Sequence, residues 1–206
     1  VRKMRASILV LCPLVARFGQ ASVSLPGGCA IGVRGVDLHI RTLQLLGANV
    51  AIENGLINVS ATNGLRGCDI TFPIVTVTGT ENSIMAAVLA KGTTRLINAA
   101  IEPEVKAFAD LLNSMGAKIS GQGTSTIIID GVDTLHGAEF SIIPDRIEAG
   151  SYAIATAITN GKVLLKNCIY EHLESFLDIL QLNGINVQKQ SNGVLVRREN
   201  EFINPM

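Results

Sequence analysis

The chain has 206 residues, 48% of them hydrophobic and 17% charged, a composition too apolar for a disordered segment and long enough for one or two packed cores. Its 17 Lys and Arg balance 17 Asp and Glu for a net charge of +0, which argues against a nucleic-acid binder that works by bulk neutralisation of phosphates. The longest uncharged apolar stretch lies between Arg5 and Arg17, contains Pro13 and falls short of the ~20 residues a bilayer span needs, so no membrane partner is expected. In chain order, hydrophobic periodicity predicts an apolar helix over Ser7 to Phe18, a strand over Ala21 to Leu25, and an amphipathic helix marked by Val36, Ile40 and Leu43. Strands follow over Val50 to Glu53 and Leu56 to Ser60, about an Asn54-Gly55 turn. The pattern then recurs: a helix over Asn82 to Ala90, a strand over Thr93 to Asn98, a helix marked by Val105, Phe108, Leu112 and Met115, and a strand over Ser125 to Asp130. A third round has a helix over Ala149 to Thr159, a strand over Lys162 to Asn167 and a helix marked by Leu173, Phe176, Leu177 and Leu180.

Glycines mark the same points in each round. Gly19, Gly92 and Gly161 close the first helices, and Gly47, Gly116 and Gly184 close the second ones. The chain therefore reads as three copies of one module of roughly 70 residues. The first helix of each copy is apolar on every side and is expected to be buried all round, with helices inside and sheets outside. A boundary is expected near Ile143-Pro144-Asp145, dividing the chain into residues 1–143, with two modules, and residues 144–206, with one. The opening residue is Val1, the segment begins directly in a helix, and no secretory signal precedes it, so the chain reads as a piece of a longer polypeptide.

Chemistry concentrates where the first copy breaks the pattern. Its strand and second helix are joined by Leu25-Pro26-Gly27-Gly28-Cys29-Ala30-Ile31-Gly32-Val33-Arg34, where the other copies use a few residues. Cys29 is placed at the tip of this loop, either as a reactive thiol favoured by Arg34 or as a small residue in a turn. Cys12, Cys68 and Cys168 lie in apolar contexts and are expected in the core. No Cys pair has metal-binding spacing and there are only three His, so neither a metal nor a cofactor is expected, and four scattered cysteines suit a reducing compartment. Arg5 and Arg34 each open a helix, where a cation and free backbone N–H groups can together hold an anion. Asp37 can serve as a charge on the helix dipole, and His39 reads as a packed surface histidine. Asp145-Arg146-x-Glu148 reads as an ion pair and cap or as part of a site, and Glu102-Pro103-Glu104 as a helix start.

Taken together, Lys3-Met4-Arg5-Ala6-Ser7, Pro26-Gly27-Gly28-Cys29-Ala30-Ile31-Gly32, Val36-Asp37-Leu38-His39, Gly92-Thr93-Thr94, Asn98-Ala99-Ala100, Glu102-Pro103-Glu104 and Pro144-Asp145-Arg146-Ile147-Glu148 resemble the UDP-N-acetylglucosamine 1-carboxyvinyltransferases, over about residues 1 to 198. The resemblance implies an inside-out α/β barrel of βαβαββ modules, truncated here to most of one lobe and the first module of a second. It also implies the activity. The enolpyruvyl group of phosphoenolpyruvate passes to the 3′-hydroxyl of UDP-N-acetylglucosamine and phosphate leaves, a cytoplasmic step that serves peptidoglycan synthesis, cell-wall biogenesis, cell shape and division.

Residue by residue, Cys29 matches the loop cysteine that donates a proton to the methylene carbon and is the target of fosfomycin. Arg5 and Arg34 match substrate-contacting arginines. Gly35, Val36, Asp37 and Leu38 match one nucleotide-sugar stretch, Val75, Thr76 and Val77 a second, and Asp145 and Arg146 a pair at the lobe junction. Gly35 stands where many members have Pro, and Thr78-Gly79-Thr80 where many have Gly-Ala-Thr. The expected partners are the two small-molecule substrates and the remainder of the enzyme, without which this piece is expected to be inactive. Two other readings remain open. One is a 3-phosphoshikimate 1-carboxyvinyltransferase, although that sister family lacks the Pro-Gly-Gly-Cys loop. The other is a non-catalytic remnant that binds nucleotide sugar or a partner.

Overall fold

The computed structural model describes residues 4–27 and 35–198. The first copy runs from a 3-10 stretch, Arg5–Val10, into α1 (Leu11–Phe18), β1 (Gln20–Ser24), α2 (Asp37–Leu45), β2 (Asn49–Glu53) and β3 (Leu56–Ser60). The second is a whole βαβαββ module: β4 (Asp69–Thr71), α3 (Val77–Ala87), β5 (Thr93–Ile97), α4 (Pro103–Ser114), β6 (Lys118–Ser120) and β7 (Thr126–Asp130). The third has α5 (Arg146–Ile158), β8 (Lys162–Lys166), a short 3-10 turn, α6 (Glu174–Leu182), β9 (Ile185–Gln190) and β10 (Gly193–Arg198).

Each copy makes its own sheet, in the order β1-β3-β2, β4-β5-β7-β6 and β8-β10-β9. The last strand of every copy sits in the middle, antiparallel to both neighbours, and β4 adds alongside β5 in parallel. The registers match as well: Gln20 faces Ser60, Thr93 faces Asp130, and Lys162 faces Arg197. The repetition read from glycine spacing is thus a repetition of strand order.

The chain divides into two compact units, Val1–Ser141 and Ile142–Met206, each with its own core. In the first unit α3 packs against α1, α2 and α4. Its Ile84, Ala86 and Ala87 are fully enclosed together with Leu11 of α1 and Leu43 of α2. Burying a side chain the size of Leu or Ile contributes about 1.5–3 kcal/mol, so these contacts hold the helices together. Alternate residues of each sheet face the same core, Ile57 and Val59 from β3 and Ile127 and Ile129 from β7. The second unit is centred on Ala153, Leu177, Val194 and Val196.

Helix ends follow local chemistry. Gly19 closes α1 at φ 72°, its N–H bonded to the Val15 carbonyl at 2.9 Å, a left-handed conformation that a β-carbon would strain. In the third copy that conformation falls on Asn160 (φ 53°) and not on Gly161, since Asn also tolerates it. Pro103 opens α4 with Glu104 in its first turn, as the sequence predicts.

Three expectations need correction. The first helix is 3-10 in its opening stretch. The first helices of the second and third copies begin earlier than expected, at Val77 and Arg146, because Thr76 and Asp145 cap them. Nor are the apolar helices covered on every side. Phe18 on α1 is 65% exposed, and Ile147 and Ile158 on α5 are 62% and 66% exposed. Composition alone says that a helix can be enclosed; how many neighbours reach it is a matter of packing.

Candidate active site

The expected site residues of the first unit come from three separate stretches, and the fold draws two of them into direct contact. Arg5, in the 3-10 stretch ahead of α1, donates from Nη2 to the Gly35 carbonyl at 2.6 Å, a charge-assisted bond across thirty residues of chain. The guanidinium thereby holds the backbone at the point where the Gly-rich loop gives way to α2. Val36 packs against the core of the first unit, and Asp37 begins α2 with its carboxylate in the first turn, where it suits the positive end of the helix. Leu38 is half-buried. Gly35 leaves room for the Asp37 carboxylate, which a β-carbon there would push aside.

The third stretch leads into α3. Val75 is 55% exposed. Thr76 caps the helix, its Oγ1 accepting from the Gly79 N–H at 3.2 Å, and Val77 is the first helical residue. Thr80 fixes the same turn from below, donating to the Thr76 carbonyl at 2.7 Å and accepting from the Ala100 N–H at 3.0 Å. Thr78, Gly79 and Thr80 thus form the first turn of α3, and a β-carbon on Gly79 would press on the Thr76 side chain that caps it.

Below these surface groups lies a buried polar cluster that sequence reasoning missed. His39 is 3% exposed and its Nδ1 lies 2.9 Å from Asn82 Nδ2, so it is a core residue and not the packed surface histidine expected. Burial, reinforced by the positive charge of Arg5 and opposed by Asp37, lowers its pKa to about 4, so the ring is neutral near pH 7. Beside it, the Thr42 and Ser83 hydroxyls are 2.8 Å apart, joining α2 to α3 again. The available signal was the polar pair Asn82-Ser83 at the head of an otherwise apolar run.

Cys29 and Arg34 lie outside the described residues. Among the described cysteines, Cys12 is fully buried and its thiol is pushed well up by burial, and Cys68 and Cys168 are raised for the same reason, so none is an activated thiol. Cys68 and Cys168 are only partly buried, against the expectation of core positions. Asp145 and Arg146 belong to the second unit. Asp145 Oδ1 accepts from the N–H groups of Ile147 at 2.8 Å and Glu148 at 3.0 Å and so caps α5, one of the two roles the sequence left open. Among the described residues, no group of three His, Cys, Asp or Glu side chains is placed to hold a metal ion, and no helix is long and apolar enough to cross a membrane. What the first unit offers chemically is a fixed arginine beside the first turn of α2, with the capped helix α3 packed against the same helix. Such an arrangement suits an anionic ligand.

The fold places the chain among α/β repeat proteins of the enolpyruvyl transferase kind. It superposes on the enolpyruvyl transferase NikO from Streptomyces tendae with a TM-score of 0.76, at 20% identity, over 92% of this chain and 46% of that one. It superposes on EPSP synthase from Acinetobacter baumannii with a TM-score of 0.63, at 19% identity, over 90% of this chain and 45% of that one. The family model for EPSP synthase (3-phosphoshikimate 1-carboxyvinyltransferase) matches residues 1–205, and the chain belongs to that family. Among curated relatives it is 54% identical to the UDP-N-acetylglucosamine 1-carboxyvinyltransferase of Granulibacter bethesdensis over 97% of this chain and 48% of that protein. It is 52% identical to the enzyme of the same name from Nitrobacter winogradskyi, over 100% of this chain and 48% of that one. The chain therefore spans about half the length of the curated relatives it matches.

Proposed function

We propose that this chain is the part of a UDP-N-acetylglucosamine 1-carboxyvinyltransferase that holds the nucleotide sugar and carries the acid loop. The observation that carries the reading is 54% identity, over nearly the whole chain, to proteins bearing that name. The Arg5 to Gly35 bond supports it, because it anchors the base of the loop that bears Cys29. In the proposed reaction the 3′-hydroxyl oxygen of the sugar adds to C2 of phosphoenolpyruvate, giving up its proton to a base in the remainder of the enzyme, while a proton is delivered to C3. The resulting tetrahedral adduct then loses a proton from C3 and expels phosphate, which restores the double bond. Cys29 is the proposed donor to C3, with Arg34 and Arg5 on phosphate and substrate. Gly35, Val36, Asp37 and Leu38 form one proposed nucleotide-sugar stretch, and Val75, Thr76 and Val77 a second. Asp145 and Arg146 are proposed to lie at the junction of two lobes, the first holding two modules up to residue 143 and the second beginning at 144. The match to half of the relatives' length supports a piece that works with the remainder of the enzyme, on a cytoplasmic step toward peptidoglycan.

Calorimetric titration with UDP-N-acetylglucosamine and, separately, with shikimate 3-phosphate tests the acceptor. Saturable binding of the nucleotide sugar alone is expected, and a preference for shikimate 3-phosphate would overturn the reading. Fosfomycin followed by peptide mass spectrometry tests the loop. One adduct at Cys29, formed faster with the nucleotide sugar present and lost in Cys29→Ser, is expected. An unmodified Cys29, or a rate indifferent to the sugar, would remove Cys29 from the mechanism.

A further inference from the structure

One buried side chain, that of Asn82, bonds to close chain neighbours of two of the three stretches proposed to face the nucleotide sugar and stands on the helix that the third one opens. Its Nδ2 donates to the Ile8 carbonyl at 3.2 Å and to His39 Nδ1 at 2.9 Å. Ile8 lies one turn beyond Arg5, His39 lies in the same turn as Asp37, and Asn82 itself stands in the second turn of α3, the helix that Thr76 caps. Asn82 is completely buried and has two amide hydrogens, so one side chain meets both acceptors. The Ile8 carbonyl can only accept, which fixes the orientation of the amide. With an N–H then pointing at Nδ1, His39 must be neutral with its proton on Nε2. The amide oxygen, Oδ1, has no partner among the described residues. A buried acceptor left unpaired costs free energy, so stability by itself is a poor reason for an amide here.

We propose that Asn82 is a positioning residue that sets the register of the Arg5, Gly35–Leu38 and Val75–Val77 stretches against one another, and so the affinity for the nucleotide sugar. The ligand part of this inference rests on the proposed function; the positioning part does not. The nearby Thr42 and Ser83 hydroxyl pair provides a built-in comparison. It is another buried bond between α2 and α3, with Ser83 also donating to the Gly79 carbonyl at 2.7 Å, but it lies one turn deeper on α2 and does not reach the 3-10 stretch that carries Arg5.

The experiment compares Asn82→Ala and Thr42→Val with the wild-type chain, by titration with UDP-N-acetylglucosamine and by amide hydrogen exchange. Asn82→Ala is expected to weaken binding by about tenfold, the lower end of what losing a supporting hydrogen bond costs behind the ligands of metal sites. It is also expected to speed exchange at residues 36–40 and 5–8, and to let the His39 ring, followed by its nitrogen shifts, populate both neutral tautomers. Thr42→Val is expected to lower stability while leaving affinity, exchange at those segments and the His39 tautomer unchanged. Equal loss of affinity in the two variants would reduce Asn82 to a structural residue and overturn the proposal. If the wild-type chain binds no UDP-N-acetylglucosamine, the ligand reading fails, and exchange and tautomer decide the positioning role. Release at both segments in Asn82→Ala alone supports it, and the same pattern in both variants overturns it.

Discussion

Acidification probes the burial of His39 with a sign that can be worked out beforehand. In the folded chain its pKa is lowered from 6.5 to about 4, by burial first and by the charge of Arg5 second, with Asp37 opposing. The unfolded chain keeps the ordinary value, so between these two pH values it binds the extra proton. The contribution is intact above the unfolded pKa, falls as the pH drops and levels off below the folded one. At 1.36 kcal/mol per pKa unit the full loss is about 3 kcal/mol, and about 2.5 kcal/mol has gone by about pH 4.5. Carboxylates titrate in the same range, so the quantity to measure is the difference between wild type and His39→Gln, in which the carboxylate contributions cancel. Both tyrosines, Tyr152 and Tyr170, lie in the second unit, so tyrosine fluorescence does not follow this opening. Exchange of the α3 amides, corrected for intrinsic rate, does follow it. Between about pH 7 and about pH 4.5 the wild type should lose about 2.5 kcal/mol more than His39→Gln. Equal losses, or a His39 ring signal that titrates near its ordinary pKa, would refute the reasoning.

Further outcomes follow from single positions. Thr94 is fully buried and its hydroxyl has no partner among the described residues, so Thr94→Val, which keeps the shape, should stabilise the first unit by about 1 kcal/mol in urea titrations. A loss of stability would mean that the hydroxyl is paired. A β-carbon on Gly131 would land on the Ala90 carbonyl oxygen, which is backbone and cannot step aside, so Gly131→Ala should cost about 3 kcal/mol and lower the melting temperature of the first unit. Asp145 accepts two N–H bonds at the start of α5, so Asp145→Ala should cost the second unit about 1 kcal/mol, read by tyrosine fluorescence in urea. An unchanged midpoint there would deny the cap any weight.

Much of the fold was legible because helix stops and hydrophobic periods are local. The glycine after α1, the amphipathic stripe of α4 and the β-branched run of β7 each state a conformation within a few residues. Their repetition gave the three modules, and the structure returned them as one strand order used three times. Helix starts were less legible: a cap at Asp145 was among the readings open from sequence, but the one at Thr76 acts through a side-chain bond that composition does not announce.

Arg5 and the Gly35–Leu38 stretch could be nominated from sequence, one by its place before a helix and the other by its resemblance to a nucleotide-sugar stretch. The bond between Arg5 and Gly35 belongs to tertiary structure, because the two lie on chain segments that local preference does not bring together. The same holds for Asn82 and His39. In sequence each is a polar residue in an amphipathic or apolar stretch, and only the packing of α2 and of the 3-10 stretch against α3 removes both from water and makes each the other's partner. Sequence by itself determined the modules, their order and the residues able to do chemistry, since those depend on local backbone preference and side-chain type. Tertiary structure decided which apolar helix faces stay exposed, that His39 is buried, and which amide joins α2 and the 3-10 stretch to α3, since burial and hydrogen bonding depend on what distant segments bring to the same place.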